Sequence, residues 1–150
     1  MVDFNAILAK KASDVKPPPL MPVGTYVVVA TGQPQTGESS AKKTPWIGWD
    51  AKFVSPMDDV DREQLAEIGG LEGKSLKAGK QGGLTFYITE ASEFMFVQFM
   101  EETCLIEKGD KSLMEMASEV SGKQFLVVMK HEETTRPGVY RSVIDSTMPM

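Results

Sequence analysis

The chain of 150 residues has few of the side chains that catalysis and metal binding most often use. It contains one cysteine, Cys104, and one histidine, His131. A single cysteine cannot form an internal disulfide, which fits a reducing compartment. The CxxC and HxxxH spacings of cysteine- and histidine-based metal sites do not occur. We therefore expect a protein that is not an enzyme and uses no metal ion or cofactor, with Cys104 buried and His131 solvated.

Long apolar runs and phosphate-binding loops are also missing. No apolar run approaches the roughly 18 residues of a membrane-spanning helix, and none at the N-terminus suits a signal peptide. Asp58, Asp59 and Asp61 resemble the start of a calcium loop, but the glycine and glutamate that should follow are absent. The segment Gly70–Ser75 ends in GKS, yet the first glycine of a phosphate loop would fall on Ile68.

The net charge of −5 is distributed unevenly along the chain. Residues 73–89 carry three lysines and no acid, whereas residues 90–121 carry eight acids and two lysines. The predicted strands with their loops are thus basic, and the predicted helices are acidic. Salt screens charges beyond roughly 8–10 Å, so a local positive field can exist on an acidic protein. The competing interpretation is that the acids simply occupy solvated helix faces.

Two alternating segments in the middle of the chain predict strands with one buried and one exposed face. They are Pro45–Ser55 and Gly83–Thr89. The residues assigned to the core are Ile47, Trp49, Phe53, Leu84, Phe86 and Ile88. The opposite face carries aromatic residues and lysines together, which makes it the first place to look for a binding surface.

The remaining pattern completes a set of five predicted strand regions. These are Gly24–Thr31, Pro45–Ser55, Lys74–Thr89, Lys123–Lys130 and Val139–Ile144. Glycines break the third region into a bulge or hairpin. Polar loops are predicted over Gly32–Thr44 and His131–Gly138.

Helical segments are predicted between these strands. A short acidic helix spans residues 58–69, with Asp59 or Asp61 as its N-cap. The principal helix starts at Thr89 and runs to about Thr103, and Ser112 with Glu115 forms the capping box of the next. This order predicts a mainly β fold with helical inserts, a five-stranded OB-like Greek-key barrel. An α+β sandwich is the alternative.

Residues 1–22 form a predicted N-terminal arm before a single OB-like domain at 23–150. Phe4, Ile7 and Leu8 make the apolar stripe of a short predicted helix, and Pro17–Pro19 favour an extended backbone. Such an arm lies on its own domain or on a neighbouring subunit, so a homo-oligomer through the arm is one expected arrangement.

The exposed faces and loops suggest single-stranded nucleic acid as the ligand. Aromatic faces can stack on bases, and basic side chains can contact phosphates. The candidate contact residues are Lys42, Lys43, Trp46, Lys52, Lys77, Lys80, Tyr87, Lys130, Arg136 and Arg141. Each also has a plain structural interpretation, because an exposed aromatic often packs under a loop and an edge lysine often prevents aggregation.

Several segments resemble a family of small phage-encoded proteins regarded as single-stranded-DNA-binding proteins. They are DFNAILAK (Asp3–Lys10), the segment Pro22–Ile47 with GTY and SSAKKTPW, Glu67–Gly79, Phe86–Met100 and GKQFLVVMKH (Gly122–His131). The resemblance implies an OB-like fold and a protein that coats single-stranded DNA during phage replication or recombination. It also implies a location in the cytoplasm of the infected host cell.

A second class of function stays open at this point. A phage structural or assembly protein would use the arm and the acidic helices as subunit contacts. The two classes differ in whether the protein binds DNA and in whether its oligomeric state depends on the arm.

Overall fold

The computed structural model describes Leu8, residues 20–79 and residues 84–150 of the chain. Its strands are β1 (Gly24–Glu38), β2 (Pro45–Pro56), β3 (Ser75–Leu76), β4 (Leu84–Tyr87), β5 (Gln124–Glu133) and β6 (Tyr140–Met148). Its helices are α1 (Arg62–Glu67), α2 (Glu93–Gln98), which continues as a π-helix (Phe99–Thr103), and α3 (Leu113–Glu119). The predicted N-terminal arm lies almost entirely outside the described residues.

All six strands belong to one antiparallel sheet that curls into a half-barrel. Its order is β3-β2-β1-β5-β6, and β4 also pairs with β2. The third predicted strand region corresponds to β3 and β4, which each pair with β2, and residues 80–83 between them lie outside the described residues. A mainly β, OB-like fold with helical inserts is therefore confirmed, and the single curled sheet decides against a sandwich.

The barrel is open between β4 and β6, which do not pair with each other in the described part of the chain. The continuous helix formed by α2 and the π-helix lies along this seam. The hydroxyl oxygens of Thr103 and Thr147 are 3.0 Å apart and join the π-helix to β6. A cleft of about 580 Å³ remains, lined by β4, β6 and this helix.

An aromatic cluster fills the interior of the half-barrel. The Trp49 ring contacts Phe86, Phe96 and Phe99, with ring centroids 5.6–6.3 Å apart. The Trp49 indole N–H donates to the Ala117 carbonyl at 3.1 Å, which satisfies its buried donor and fixes α3 against β2. All the residues assigned to the core from alternation lie in this core or pack against it.

Both hairpins of the sheet are longer than the sequence pattern indicated. The segment Gly32–Glu38 was predicted as loop but belongs to β1, which bulges after Thr31 and pairs again with β2 from Gln35 to Glu38. Likewise, β5 extends to Glu133 and β6 to Met148. The residues added to β1 and β5 are mostly polar because they form two-stranded ribbons beyond the core, where no apolar face is required. The residues added to β6 instead pair with Leu126–Val128 at the edge of the sheet.

Two of the predicted helix caps are present in the structure, and the principal helix begins later than expected. The Asp61 side chain accepts from the backbone N–H groups of Glu63 and Gln64, and the Ser112 hydroxyl accepts from that of Glu115, as predicted. The expected start of the principal helix at Thr89 is wrong, because α2 begins at Glu93. The turn between them is held by the side chains of Thr89 and Ser92.

The chain enters the barrel at the Gly24 end of β1. The Tyr26 hydroxyl donates to the buried Pro22 carbonyl at 2.7 Å. His131 Nε2 lies 2.7 Å from the Met21 carbonyl oxygen. Burial raises the pKa of Tyr26 to about 12, which keeps the phenol protonated as the donor of its hydrogen bond.

Candidate nucleic-acid interface

The outer face of β2 and β4 brings together the two aromatic residues that were predicted to contact a ligand. Trp46 and Tyr87 are directly opposite each other in the antiparallel pairing of these strands. On the opposite face of the same two strands, Ile47 and Leu84 are buried in the core. The Tyr87 side chain is 51% exposed, and Trp46 is half-buried.

Two glycines determine how Trp46 lies on this face. A Cβ on Gly37 or Gly79 would come within 2.5 Å or 2.6 Å of the indole atom Cζ2. The indole therefore lies against the backbones of β1 and of the segment that follows β3. Gly79 has a φ of +75°, a conformation that also favours glycine.

The segment Lys77–Gly79 crosses the outer face of β2 next to this indole. Its backbone is held by two side chains that point outward from the sheet. Asp50 Oδ1 accepts from the Ala78 N–H at 2.9 Å, and Thr85 Oγ1 accepts from the Gly79 N–H at 2.8 Å. This segment narrows the outer face and places the exposed Lys77 at its border.

Further lysines extend this surface along β2 and the β1–β2 hairpin. Lys52 points outward from β2, and the exposed Lys42 and Lys43 form the hairpin tip. The tip is a tight turn in which Ser39 pairs with Thr44, and Lys43 has a φ of 52°. Among the described residues, neither these lysines nor Lys77 has a carboxylate within ion-pair distance.

The other predicted basic residues lie on β5, β6 and their connecting turn. Lys130 is 3.3 Å from Asp145, and Arg141 is 3.3 Å from Glu132, so their charges are partly neutralised. Arg136 is exposed in the turn. Lys80, the remaining member of the predicted set, lies outside the described residues.

Alternation alone could identify the aromatic residues and Lys52, but not the residues that position them. The roles of Gly37, Gly79, Asp50 and Thr85 depend on contacts between distant parts of the chain. The only signal available in the sequence was the presence of glycine and of a short polar residue at outward strand positions.

The remaining reactive side chains are held in structural contacts. Cys104 is buried, and burial raises the pKa of its thiol to about 12, so it is a poor nucleophile at neutral pH. His131 is exposed on β5. Over residues 20–79 and 84–150, no group of three or more His, Cys, Asp or Glu side chains is arranged to hold a metal ion.

No helix in the described part of the chain has the length and apolarity needed to cross a membrane. Comparison with protein-family models and with curated protein sequences finds no match to this chain.

Proposed function

We propose that this protein binds single-stranded DNA on the outer face of β2 and β4, without sequence preference and without catalysing a reaction. The observation that carries the proposal is the direct pairing of Trp46 and Tyr87 on one outer face, bordered by exposed lysines. Aromatic rings that are held by strands offer a stacking surface to any base, because every base has a π-face.

Stacking and phosphate contacts would both contribute to the affinity of such a surface. Each stacked base contributes about 1–3 kcal/mol, as judged from alanine substitutions in other single-strand-binding proteins. Lys42, Lys43, Lys52 and Lys77 are free to neutralise phosphates and release counterions. Lys130, Arg136 and Arg141 on the second hairpin extend the proposed phosphate track, with the two ion-paired residues exchanging a carboxylate for a phosphate.

The fold supports the same location. In OB-like barrels, ligands bind the face of strands two and three, between the loops that join strands one to two and four to five. Here those positions are occupied by β2 with β3 and β4, and by the β1–β2 and β5–β6 hairpins.

The biological setting belongs to the same proposal and is supported by the segment resemblance alone. We assign the protein to phage replication or recombination, in the cytoplasm of the infected host cell. Its role there is to coat single strands that are exposed during DNA synthesis or strand exchange.

A direct titration tests the proposal. Fluorescein-labelled oligo(dT) is titrated with the full chain at low salt, and binding is followed by fluorescence anisotropy. We expect saturable binding that weakens with added salt, with a log–log slope of about −0.7 per phosphate contacted. Absence of binding at low salt would contradict the proposal.

A further inference from the structure

A second surface, on the helices, exposes large apolar side chains that do not contribute to the core. Phe94 of α2 is 69% exposed and Met114 of α3 is 53% exposed. Leu113 joins them, because it lines a groove of about 440 Å³ with Phe94 and a second groove of about 580 Å³ with Met114 and Trp46. We call the surface formed by Phe94, Leu113 and Met114 the helical surface. Contiguous exposed apolar side chains of this kind mark contact sites.

Acidic side chains border the helical surface. Glu90, Glu93, Glu101 and Glu102 line the groove at Phe94, and Glu38 lines the groove at Met114. Among the described residues that line these grooves, Lys108 is the one base, and it lies 3.5 Å from Glu101. This charge repels nucleic acid and favours a cationic segment with apolar anchors.

The N-terminal sequence of the chain itself has this chemistry. Phe4, Ile7 and Leu8 supply apolar anchors at helical spacing, and Lys10 and Lys11 supply positive charge directly after them. Leu8 is 72% exposed, so it is available to a partner.

The position where the described domain begins favours a contact between two copies. The Met21 carbonyl oxygen contacts the His131 ring nitrogen at the Gly24 end of β1. The groove at Met114 is lined by Gly37 and Glu38, which lie at the opposite end of that strand. The N-terminal sequence thus joins its own barrel at the end away from the helical surface.

We propose that the helical surface binds the N-terminal segment, residues 4–11, of a second copy of this chain. Apolar anchors enter the grooves beside Phe94 and Leu113, and Lys10 and Lys11 meet the acidic border. A contact of this kind is heterologous, because two different patches meet, so it generates rings or filaments. The evidence for this contact does not rest on DNA binding, although Trp46 of the candidate interface also lines the groove at Met114. The contact would equally serve the alternative assembly role.

Sedimentation velocity of the full chain over a range of concentrations measures this contact. We expect self-association that is weakened at least about tenfold by Phe94→Ser, because exposed aromatic anchors dominate interface energies. Val54→Ser is the matched control, since Val54 is an exposed apolar residue on β2. It should leave self-association unchanged.

A charge exchange tests the pairing of the two segments. Lys10→Glu with Lys11→Glu in the full chain should weaken self-association to a similar extent, as should Glu90→Lys with Glu93→Lys. Mixing these two variants gives complementary charges in both contacts between unlike copies, whereas contacts between like copies stay repulsive, so mixing should restore association. Thermal melts of each variant show that the domain is folded.

Three results would overturn the proposal. The first is a monomer at every concentration. The second is self-association that neither Phe94→Ser nor the lysine reversal changes. The third is a monomeric chain that binds a labelled synthetic peptide of native residues 1–16 only when the chain itself carries Lys10→Glu and Lys11→Glu. This result would show that the native segment already occupies the helical surface of its own chain.

Discussion

Trp46 shows how much of the candidate site depends on the smallest residues around it. Its indole lies against the backbones at Gly37 and Gly79, where any side chain would clash with the ring. The ring is therefore positioned before a ligand arrives, which reduces the entropy lost on stacking. Tyr87, opposite it, is more exposed and less constrained.

Substituting Gly37 by alanine should displace this indole. We expect a loss of about 1–3 kcal/mol in the free energy of unfolding, as for other overpacked sites. In a Trp46→Leu background the added methyl group meets a smaller side chain, so the loss should shrink. Urea denaturation of the four proteins measures the coupling, and equal losses in both backgrounds would show that the two residues are not in contact.

Replacing Tyr87 by valine should weaken DNA binding with little change in stability. The expected loss is about 1–3 kcal/mol of binding free energy, which corresponds to about fivefold to 150-fold in Kd. Tyr140→Val is the matched control, because Tyr140 is 50% exposed on β6 and lies outside the proposed contact set. Anisotropy titrations with oligo(dT) compare them, and equal effects of the two substitutions would remove Tyr87 from the site.

Asp59 links the start of β1 to the turn before α1, and it should make stability depend on pH. Its carboxylate accepts hydrogen bonds from the Thr25 N–H and hydroxyl, each at 2.8 Å. These bonds lower the pKa of Asp59 below its usual value. Because the folded pKa is lower than the unfolded one, the contribution is present above about pH 4 and is lost as the pH falls through the folded pKa.

The Asp59→Asn variant should therefore be less stable than the native protein at pH 7. The difference should disappear at pH values below the folded pKa. Thermal denaturation across this pH range is the measurement. A difference that stays constant with pH would mean that the carboxylate is not the source of the stabilisation.

The inward-facing residues of β2 could be predicted from the sequence, whereas the contacts that shape its outer face could not. Alternation places Trp49 and Ile47 inside because a strand has a period of two, and the structure agrees. The hydrogen bond from the Ala78 N–H to the Asp50 carboxylate joins residues 28 positions apart, so no local sequence pattern could reveal it.

At the scale of elements, the two long hairpins are the main departure from the sequence pattern. The polar composition of Gly32–Glu38 favours a loop, yet β1 and β2 pair as far as Glu38 and Pro45. Cross-strand hydrogen bonds do not require apolar side chains. A ribbon that projects from the core buries few side chains, so its residues can be polar. Lys42 and Lys43 therefore lie in the turn at the tip of a paired two-stranded ribbon.

Removing the charges of this ribbon tip should change the salt dependence of DNA binding. In the Lys42→Ala/Lys43→Ala variant, we expect the magnitude of the log–log salt slope to fall by about 0.7 for each lost phosphate contact. Lys111→Ala is the control, since Lys111 is paired with Glu119 at 2.9 Å beside α3. A slope that is unchanged by the tip substitutions would place the phosphate track elsewhere.

Helix positions were predicted well where a side chain caps the backbone locally. Asp61 and Ser112 act within three residues of their partners, so sequence spacing is enough. The Thr89 hydroxyl does accept from the Ser92 N–H three residues later, but this contact closes a turn, and the helix itself begins only at Glu93. The local sequence, a threonine before an acidic residue, is compatible both with a helix N-cap and with a separate turn before the helix.

On the scale of the whole molecule, charge is segregated between two surfaces. Lys42, Lys43 and Lys52 lie on β2 and its hairpin without a described carboxylate in ion-pair distance, whereas acidic side chains line the groove between α2 and α3. Screening over roughly 8–10 Å allows both fields to act locally on one small domain. We therefore propose that DNA binds the sheet and that a second copy of the chain binds the helices.

The central claim is the location of single-stranded DNA on the outer face of β2 and β4. An NMR titration of the ¹⁵N-labelled full chain with oligo(dT) of about 12 nucleotides, within the site sizes known for OB folds, tests it directly. We expect the largest amide shifts in residues 42–52 and 77–87, and small shifts in α2 and α3. Shifts concentrated on the helices, or the absence of any shift at low salt, would contradict it.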